Sequence, residues 1–235
     1  MLKVRQIFNQ KYHSYTYIVY STITYSSLII DPILDDTEKY QELISELNIK
    51  LTHVFETHLH ADHITGAAIM CKNNINCSIA MGIESNVNNI DIILSDNKTI
   101  TINDITIKAI HTPGHTKDSY SLLINSYLFT GDVLLIRKTG RSDLPGGSSE
   151  DQYNSIKNKL FRLPPCTTVY PGHDYSGYTS SSIEEEISHN KRLANKNISD
   201  YINIMDALLL SKPKLIDQNL SANYNCGYCQ LSNYE

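Results

Sequence analysis

Short apolar runs alternate with polar turns along most of the chain, and most of the runs have the length and period of β-strands. Residues 105–109 are typical, because the apolar positions 105, 107 and 109 alternate with Thr106 and Lys108. This period of two predicts a strand with one buried face. Extended segments are predicted at 3–8, 15–20, 27–30, 51–55, 78–80, 99–102, 105–110, 121–124, 127–129 and 168–170.

Other segments have helical periodicity. Leu43, Ile44 and Leu47 repeat at the spacing of one helix face, and Thr37 is the expected N-cap of that helix. Helices are predicted at 37–47, 62–71, 151–161, 183–194 and 199–210. Strands dominate the first two-thirds of the chain and helices the last third, which indicates a mixed α/β domain of the α+β class.

The turn after the predicted strand 51–55 carries an unusual density of metal-ligand side chains. His58, His60, Asp62 and His63 lie within six positions, and the next predicted helix begins at Asp62. Because side chains alternate along extended backbone, His58 and His60 should point the same way. A surface turn with solvated histidines would explain a lone HxH motif better than it explains this density. The segment therefore predicts a metal site.

Three further predicted strands end in possible ligands. His115 follows strand 105–110 after a Pro-Gly turn, Asp132 follows strand 127–129, and His173 follows strand 168–170. Imidazole and carboxylate groups at four strand ends are what a sheet edge arranged around a metal would supply. The irregular stretch from 138 to 150, just after Asp132, is expected to overhang that site; the alternative is a plain surface loop.

Composition narrows the remaining classes. The 235 residues are 41% hydrophobic, which is enough for one large domain with a buried core. A net charge of −5 without a basic cluster argues against a nucleic-acid partner. No apolar run approaches the roughly 18 residues that cross a bilayer, and no secretory signal is seen, so we expect no membrane partner and a cytoplasmic location. The five scattered cysteines are expected to be reduced thiols, with incidental or structural roles for Cys226 and Cys229.

The motifs HxHxDH, GH, TGD and GH, in this order, resemble those of the metallo-β-lactamase fold superfamily; they occupy residues 58–63, 114–115, 130–132 and 172–173. Within it the chain resembles the persulfide dioxygenases, also called sulfur dioxygenases. Similar segments lie at 30–34, 58–66, 129–137, 140–143, 170–177, 184–186, 190–193, 204–205, 212–213 and 226–227. The resemblance implies an αββα four-layer sandwich that forms one domain over residues 1–235, with a C-terminal helical part from about 180 packed on it.

The resemblance also implies the ligands. That family binds one iron through the first His of HxH, the GH histidine and the TGD aspartate, which correspond to His58, His115 and Asp132. Two imidazoles and one carboxylate leave positions open for sulfur, O2 and water. Other polar residues of the motifs would support the ligands by hydrogen bonds; these are His60, Asp62, His63, His173 and Asp174.

The expected reaction is oxidation of a thiol persulfide, taken to be glutathione persulfide, by O2 and water to sulfite and glutathione, with one Fe(II) per chain in a possible homodimer. Arg141 and Tyr175 are the expected substrate contacts, since Arg141 can offer a bidentate fork to a carboxylate. The alternatives are an ion pair of Arg141 with Asp143 or Asp174, and simple packing of Tyr175. Arg137 is expected to support the loop.

Two other functions share these residues. A glyoxalase II type hydrolase would use two metals against S-lactoylglutathione. Its candidate ligands are seven residues: His58, His60, Asp62, His63, His115, Asp132 and His173. The C-terminal segments argue against it because they resemble the dioxygenases. A metal-binding scaffold without turnover is the third reading. The chain departs from the family pattern at Lys138 and Thr139, where a Cys is usual, and at Lys117 and Asp118; these positions lie beside the expected pocket, where the thiol carrier would bind.

Overall fold

The structure is a computed structural model that describes residues 1–211 and 215–228. Contacts divide these residues into two compact units. The first contains residues 1–94, 101–106 and 215–228, and the second contains residues 95–100 and 107–211. The single domain expected over residues 1–235 stays a prediction. The family-like segment 212–213 and Cys229 lie outside the described residues.

The first unit is built on a six-stranded sheet in which the strands follow chain order. They are β1 (Leu2–Asn9), β2 (Ser14–Ser21), β3 (Ser26–Ile30), β4 (Lys50–Phe55), β5 (Ser78–Gly82) and β6 (Ile92–Leu94). The first three pair antiparallel, and β3 to β6 run parallel. Exposure alternates along most of β1, whereas β2 and β3 are buried throughout.

The second sheet also has six strands, in the order β14-β13-β10-β9-β8-β7, and a small hairpin pairs β11 with β12. These strands are β7 (Thr99–Ile102), β8 (Ile105–His111), β9 (Tyr120–Ile124), β10 (Tyr127–Phe129), β11 (Leu134–Leu135), β12 (Lys138–Thr139), β13 (Thr168–Tyr170) and β14 (Ser181–Ser182). All ten predicted strands are confirmed. The unpredicted β6, β11, β12 and β14 have two or three residues each, too few to show a period.

The described residues form six α-helices. They are α1 (Thr37–Glu46), α2 (Ala67–Lys72), α3 (Ser149–Asn158), α4 (Ile183–His189), α5 (Ile198–Asp206) and α6 (Ile216–Asn223). The predicted N-cap was wrong by one residue: Asp36 holds that position, and the hydroxyl of Thr37 donates to the Leu34 carbonyl. The predicted helices at 183–194 and 199–210 end early, at His189 and Asp206.

The start of α2 was also predicted wrongly. Asp62 and His63 do not begin a helix, because the backbone that follows them bonds to another segment. Leu34 donates to the Ile64 carbonyl, Gly66 donates to the Pro32 carbonyl, and Ile33 forms a β-bridge with Thr65. These bonds keep residues 62–66 out of a helix, and the helix starts only at Ala67.

Each unit has an apolar core of its own. In the first, α1 and α2 pack on the sheet through Tyr40, Ile44 and Met70. In the second, Ile156 of α3 and Tyr201 of α5 are fully buried in a cluster with residues of the 128–134 segment. No helix among residues 1–211 and 215–228 is long and apolar enough to cross a membrane.

The expectation of reduced thiols is corrected at one pair. Cys71, in the last turn of α2, and Cys77, just before β5, form a disulfide. Reduced thiols were expected because the five cysteines are an odd number scattered over a long chain, but Cys71 and Cys77 are only six residues apart and close one short loop. Cys166 is a free, exposed thiol and Cys226 a free, buried one.

Arg137 anchors the second unit, in agreement with its expected role. Its guanidinium contacts Glu185 and Glu186 at 2.6 Å each. Glu186 is fully buried and also accepts from the backbone N–H of Arg137, from Ser181 and from Asn190. Glu185 is about half exposed, with 47% of its side chain accessible. One arginine therefore makes a buried and an exposed ion pair.

The two neighbouring glutamates give a matched stability test. Glu186→Gln should lower the free energy of unfolding by about 3 kcal/mol, because it leaves the Arg137 charge without its buried partner. Glu185→Gln should lower it by less than about 1 kcal/mol, because solvent screens an exposed pair. Urea unfolding of both variants measures the difference. Equal losses would show that burial does not set the strength of these contacts.

Candidate metal centre

The first unit supplies the turn at residues 56–66, with His58, His60 and His63 all buried. The side chain of Asn223, the last residue of α6, holds this turn. Its Oδ1 accepts from the Thr65 N–H at 2.9 Å, and its Nδ2 donates to the carbonyls of His60 and His63 at 2.8 Å each. The backbone of the turn is therefore shaped by a side chain about 160 residues away in sequence.

Asn219, one helical turn before Asn223, donates to the Ala61 carbonyl at 3.0 Å. Neither asparagine was identified from the sequence, because α6 has no clear apolar period and its residues match no motif. A helix was not expected there at all.

His60 lies between two carboxylates. Its Nε2 is 3.2 Å from Oδ1 of Asp31 and 3.1 Å from Oε2 of Glu56, and all three residues are buried. Burial opposes a positive charge on the ring, but the carboxylates of Asp31 and Glu56 raise the pKa of His60 well above its ordinary value. Burial also raises the pKa of Glu56, whose other oxygen accepts from the Thr65 hydroxyl.

Asp62 and His63 form a pair on the same turn. Nδ1 of His63 is 3.0 Å from Oδ2 of Asp62, and the Tyr12 ring packs against the His63 ring at 5.6 Å between centroids. Ligand atoms of His60, Asp62 and His63 lie within 4.8 Å of one another, so this group could hold a cation. The predicted supporting residues of the first unit are thus brought together.

His58 has its Nδ1 2.9 Å from the Thr57 hydroxyl. A neutral imidazole that donates through Nδ1 carries its lone pair on Nε2, the atom that can bind a metal.

His115, in the second unit, has the same tautomer, but a backbone carbonyl fixes it instead of a hydroxyl. Its Nδ1 is 2.7 Å from the Arg141 carbonyl, which can only accept, so Nδ1 carries the hydrogen and Nε2 the lone pair. Nε2 in turn lies 3.7 Å from Oδ2 of Asp132. That distance is too long for a hydrogen bond. It is close to the separation of two ligands of one ion, because donors about 2.1 Å from a shared cation are roughly 3 to 3.6 Å apart.

Asp132 has its two oxygens in different roles. Oδ1 is 2.7 Å from Nδ1 of His173, and Oδ2 is the oxygen nearest His115. His173 is buried, and its ring stacks on the exposed ring of Tyr175 at 6.1 Å. The structure therefore brings His115, Asp132 and His173 together, with Tyr175 at the outer side of His173.

The other predicted residues of the second unit have structural contacts. Asp174 accepts from the backbone N–H groups of Ser176 and Tyr178, so its hydrogen bonds shape the turn after His173 and do not reach a ligand side chain. Arg141 donates through Nε and Nη2 to both oxygens of Asp143, at 2.7 and 2.8 Å. The alternative reading of Arg141, an ion pair with Asp143, is the one that the structure contains.

Arg141 also donates to the Ser211 carbonyl at 2.7 Å. Its side chain thus fixes the loop in which its own carbonyl accepts from His115. The stretch from 138 to 150 therefore contacts a candidate ligand, as expected of a loop that overhangs the site.

Known proteins resemble this chain in sequence and in structure. The model of the metallo-beta-lactamase superfamily matches residues 12–88 and 84–173. The chain is 35% identical to the bovine protein "Persulfide dioxygenase ETHE1, mitochondrial" over 95% of this chain and 88% of that protein. The human protein of the same name is 34% identical over the same shares. The crystal structure of ETHE1 from Myxococcus xanthus has a TM-score of 0.93 and 38% identity, covering 96% of this chain and 99% of that one.

These matches confirm the expected fold class, the metallo-β-lactamase fold of mixed α and β structure. The chain is a metal-binding enzyme of that superfamily. Within the superfamily it belongs to the persulfide dioxygenase family, whose members are oxidoreductases.

Gly172 gives a test of how Asp132 is held. A Cβ at this position would lie 2.5 Å from Oδ1 of Asp132 and 2.9 Å from the carbonyl carbon of Gly131. Gly172→Ala should therefore displace the carboxylate and lower the metal affinity of the protein by about tenfold or more. A titration of apo protein with Co(II), followed by its visible bands, measures the loss.

Gly177→Ala is the matched control from the same loop. Its φ is +85°, but nothing lies within 4 Å of the added Cβ, so it should cost about 1 kcal/mol of stability and leave metal affinity unchanged. Equal metal affinity in the two variants would contradict the proposed packing of Asp132.

Proposed function

We propose that this enzyme oxidises glutathione persulfide with O2 and water, giving sulfite and glutathione, and that it uses one Fe(II) held by His58, His115 and Asp132. The reaction balances as one persulfide, one O2 and one water giving one thiol, one sulfite and two protons. Membership of the persulfide dioxygenase family supports the reaction. The arrangement around Asp132 is the observation that supports the single iron.

Asp132 meets the requirements of one cation better than those of a bridge between two. Its Oδ1 accepts from His173, and its Oδ2 lies 3.7 Å from Nε2 of His115, so we propose that the metal binds Oδ2. With a second imidazole, which we propose comes from His58, these two atoms would make up the two-histidine, one-carboxylate donor set of non-heme iron oxygenases. The donor set therefore fits Fe(II).

When bound, Fe(II) would supply the open coordination positions and the redox chemistry that O2 activation needs. The protein's own groups orient the ligands. The Arg141 carbonyl fixes the ring of His115, and Nδ1 of His173 donates to Oδ1 of Asp132, which holds the carboxylate plane. His60, Asp62 and His63 are proposed to support the site through the turn that they share with His58.

The substrate is proposed to approach past Tyr175. This ring is 61% exposed, and Nζ of Lys138 lies 5.5 Å from its centre. A persulfide of glutathione carries two carboxylates, and Lys138 offers a cation beside the ring.

Arg141 stays a predicted substrate contact, although its guanidinium already donates to both oxygens of Asp143. The homodimer and the cytoplasmic location also stay predictions; the names of the mammalian relatives include the word mitochondrial.

Activity and metal content of one anaerobic preparation test the proposal. We expect about one iron per chain, O2 uptake with glutathione persulfide, and sulfite as product. The same preparation should not hydrolyse S-lactoylglutathione. Thiolester hydrolysis without O2 uptake, with two metals per chain, would overturn the assignment in favour of the hydrolase.

The two aspartates separate one metal from two. Asp132→Ala should abolish iron binding, because it removes a ligand oxygen. Asp62→Ala should leave substantial iron, because Asp62 only supports the turn. Iron per chain, measured by mass spectrometry on anaerobic protein, gives the comparison. Equal loss from both variants would indicate a two-metal site.

The role of Lys138 can be measured in the kinetics. Lys138→Gln should raise KM for glutathione persulfide about fivefold, the equivalent of about 1 kcal/mol for an exposed charge, and leave kcat unchanged. Lys138→Arg should stay near wild type, as should Lys108→Gln, which removes an exposed charge from β8. An unchanged KM in Lys138→Gln would exclude this contact.

A further inference from the structure

Asp31 and Thr57 lie together because β3 and β4 pair in parallel up to the ends of both strands. Ile30 is opposite Phe55 at the ends of these strands, and the Asp31 N–H donates to the Phe55 carbonyl at 2.9 Å. The side chain of Asp31 then meets Thr57 twice. Its Oδ1 accepts from the Thr57 N–H at 2.7 Å, and its Oδ2 accepts from the Thr57 hydroxyl at 2.8 Å. Both residues are buried.

The hydroxyl of Thr57 has one hydrogen and two neighbours. One neighbour is Oδ2 of Asp31, and the other is Nδ1 of His58 at 2.9 Å. An ionised carboxylate can only accept, so the hydroxyl hydrogen must point to Asp31. If it pointed to His58, two oxygens 2.8 Å apart would face each other without a hydrogen between them.

The Thr57 oxygen is therefore left to accept from His58. Nδ1 of His58 must carry the ring hydrogen, and Nε2 must carry the lone pair. The order of donors runs from His58 to Thr57 to Asp31, and the carboxylate at its end determines the direction of both hydrogen bonds.

We propose that Asp31 and Thr57 are positioning residues that fix the tautomer of His58, so that this ring presents Nε2 to the metal. The proposal rests on the proposed function only where it treats His58 as a ligand. Partners of this kind typically change metal affinity by 10-fold to 100-fold when they are removed. Neither residue was singled out as functional in the sequence.

The tautomer is directly observable without metal or turnover. Long-range 15N NMR spectra of the metal-free protein at pH 8 distinguish the two ring nitrogens of a histidine. His58 is expected as the Nδ1–H form. A dominant Nε2–H form in the wild-type protein would overturn the proposal without any variant.

Asp31→Asn should reverse the order of donors. The Thr57 N–H is fixed as a donor, so the amide oxygen must stay opposite it, and the amide NH2 then faces the Thr57 hydroxyl. The hydroxyl hydrogen must turn to His58, which makes Nδ1 the acceptor and places the hydrogen on Nε2. We expect the Nε2–H form in this variant and a 10-fold to 100-fold weaker affinity for Co(II).

Variants at Thr57 separate positioning from packing. Thr57→Ser keeps the hydroxyl and should keep wild-type affinity for Co(II), whereas the nearly isosteric Thr57→Val should lose as much as Asp31→Asn. The double variant of Asp31→Asn with Thr57→Val should lose no more than Thr57→Val alone, because both residues act through the same hydrogen bond. Additive losses, or equal losses in the Ser and Val variants, would contradict the proposal.

Glu56→Gln is the control for charge. Asp31 also lies 3.2 Å from Nε2 of His60, so its replacement changes the charge around that ring as well. Glu56 faces the same ring at 3.1 Å and has no contact with Thr57 among the described hydrogen bonds. The His58 tautomer should be unchanged in Glu56→Gln. If Glu56→Gln reversed the His58 tautomer, the cause would be the charge near His60 and not the order of hydrogen-bond donors.

These outcomes are independent of the reaction. If the enzyme proved to be a hydrolase, His58 would still be a candidate ligand, and the tautomer and Co(II) affinity would still test the roles of Asp31 and Thr57. If O2 uptake were found but the tautomer were unaffected by Asp31→Asn, the proposed function would stand and this inference would fail.

Discussion

The parallel pairing of β3 with β4 is the constraint on which the first unit's part of the metal centre depends. Both strands are central in the sheet, β3 is buried throughout, and β4 is buried at its C-terminal end, where the register brings Ile30 and Phe55 side by side. The next residues on each strand are therefore neighbours, whatever their sequence. In this chain they are Asp31 on one strand and Glu56 and Thr57 on the other. A shift of register by one residue would turn each side chain to the opposite face and separate Asp31 from Thr57.

The turn after β4 keeps its irregular path because its backbone bonds are made elsewhere. Residues 64–66 form backbone hydrogen bonds with the segment after β3. The side chain of Asn223 in α6 forms hydrogen bonds with three backbone groups of the turn. A buried backbone group without a partner is costly, so these distant acceptors and donors make an irregular path stable where a helix would otherwise begin. Local propensity predicts the helix from Asp62, and tertiary hydrogen bonds override it.

The strands and the candidate ligands could be predicted from the sequence, whereas the path of this turn could not. Apolar or alternating runs predicted every strand of four or more residues in the described part of the chain, and the order of HxHxDH, GH, TGD and GH predicted the strand ends that carry the candidate ligands. The groups that orient the ligands were not predictable in this way. The Arg141 carbonyl that fixes His115 is a backbone atom with no sequence signal, and Asn223 belongs to a short polar helix. Arg141 itself carries a charge that could bind a substrate carboxylate. Its guanidinium instead forms a bidentate ion pair with Asp143, two residues later.

His58 and His115 reach the same tautomer through different chemistry. A backbone carbonyl can only accept, so the orientation of His115 follows from the path of the 138–150 loop and survives most side-chain changes there. A threonine hydroxyl can donate or accept, so the orientation of His58 needs the charge of Asp31 to decide between the two. In the proposed arrangement the ligand turn therefore depends on a carboxylate from another strand, and on the charge of that group more than on its shape.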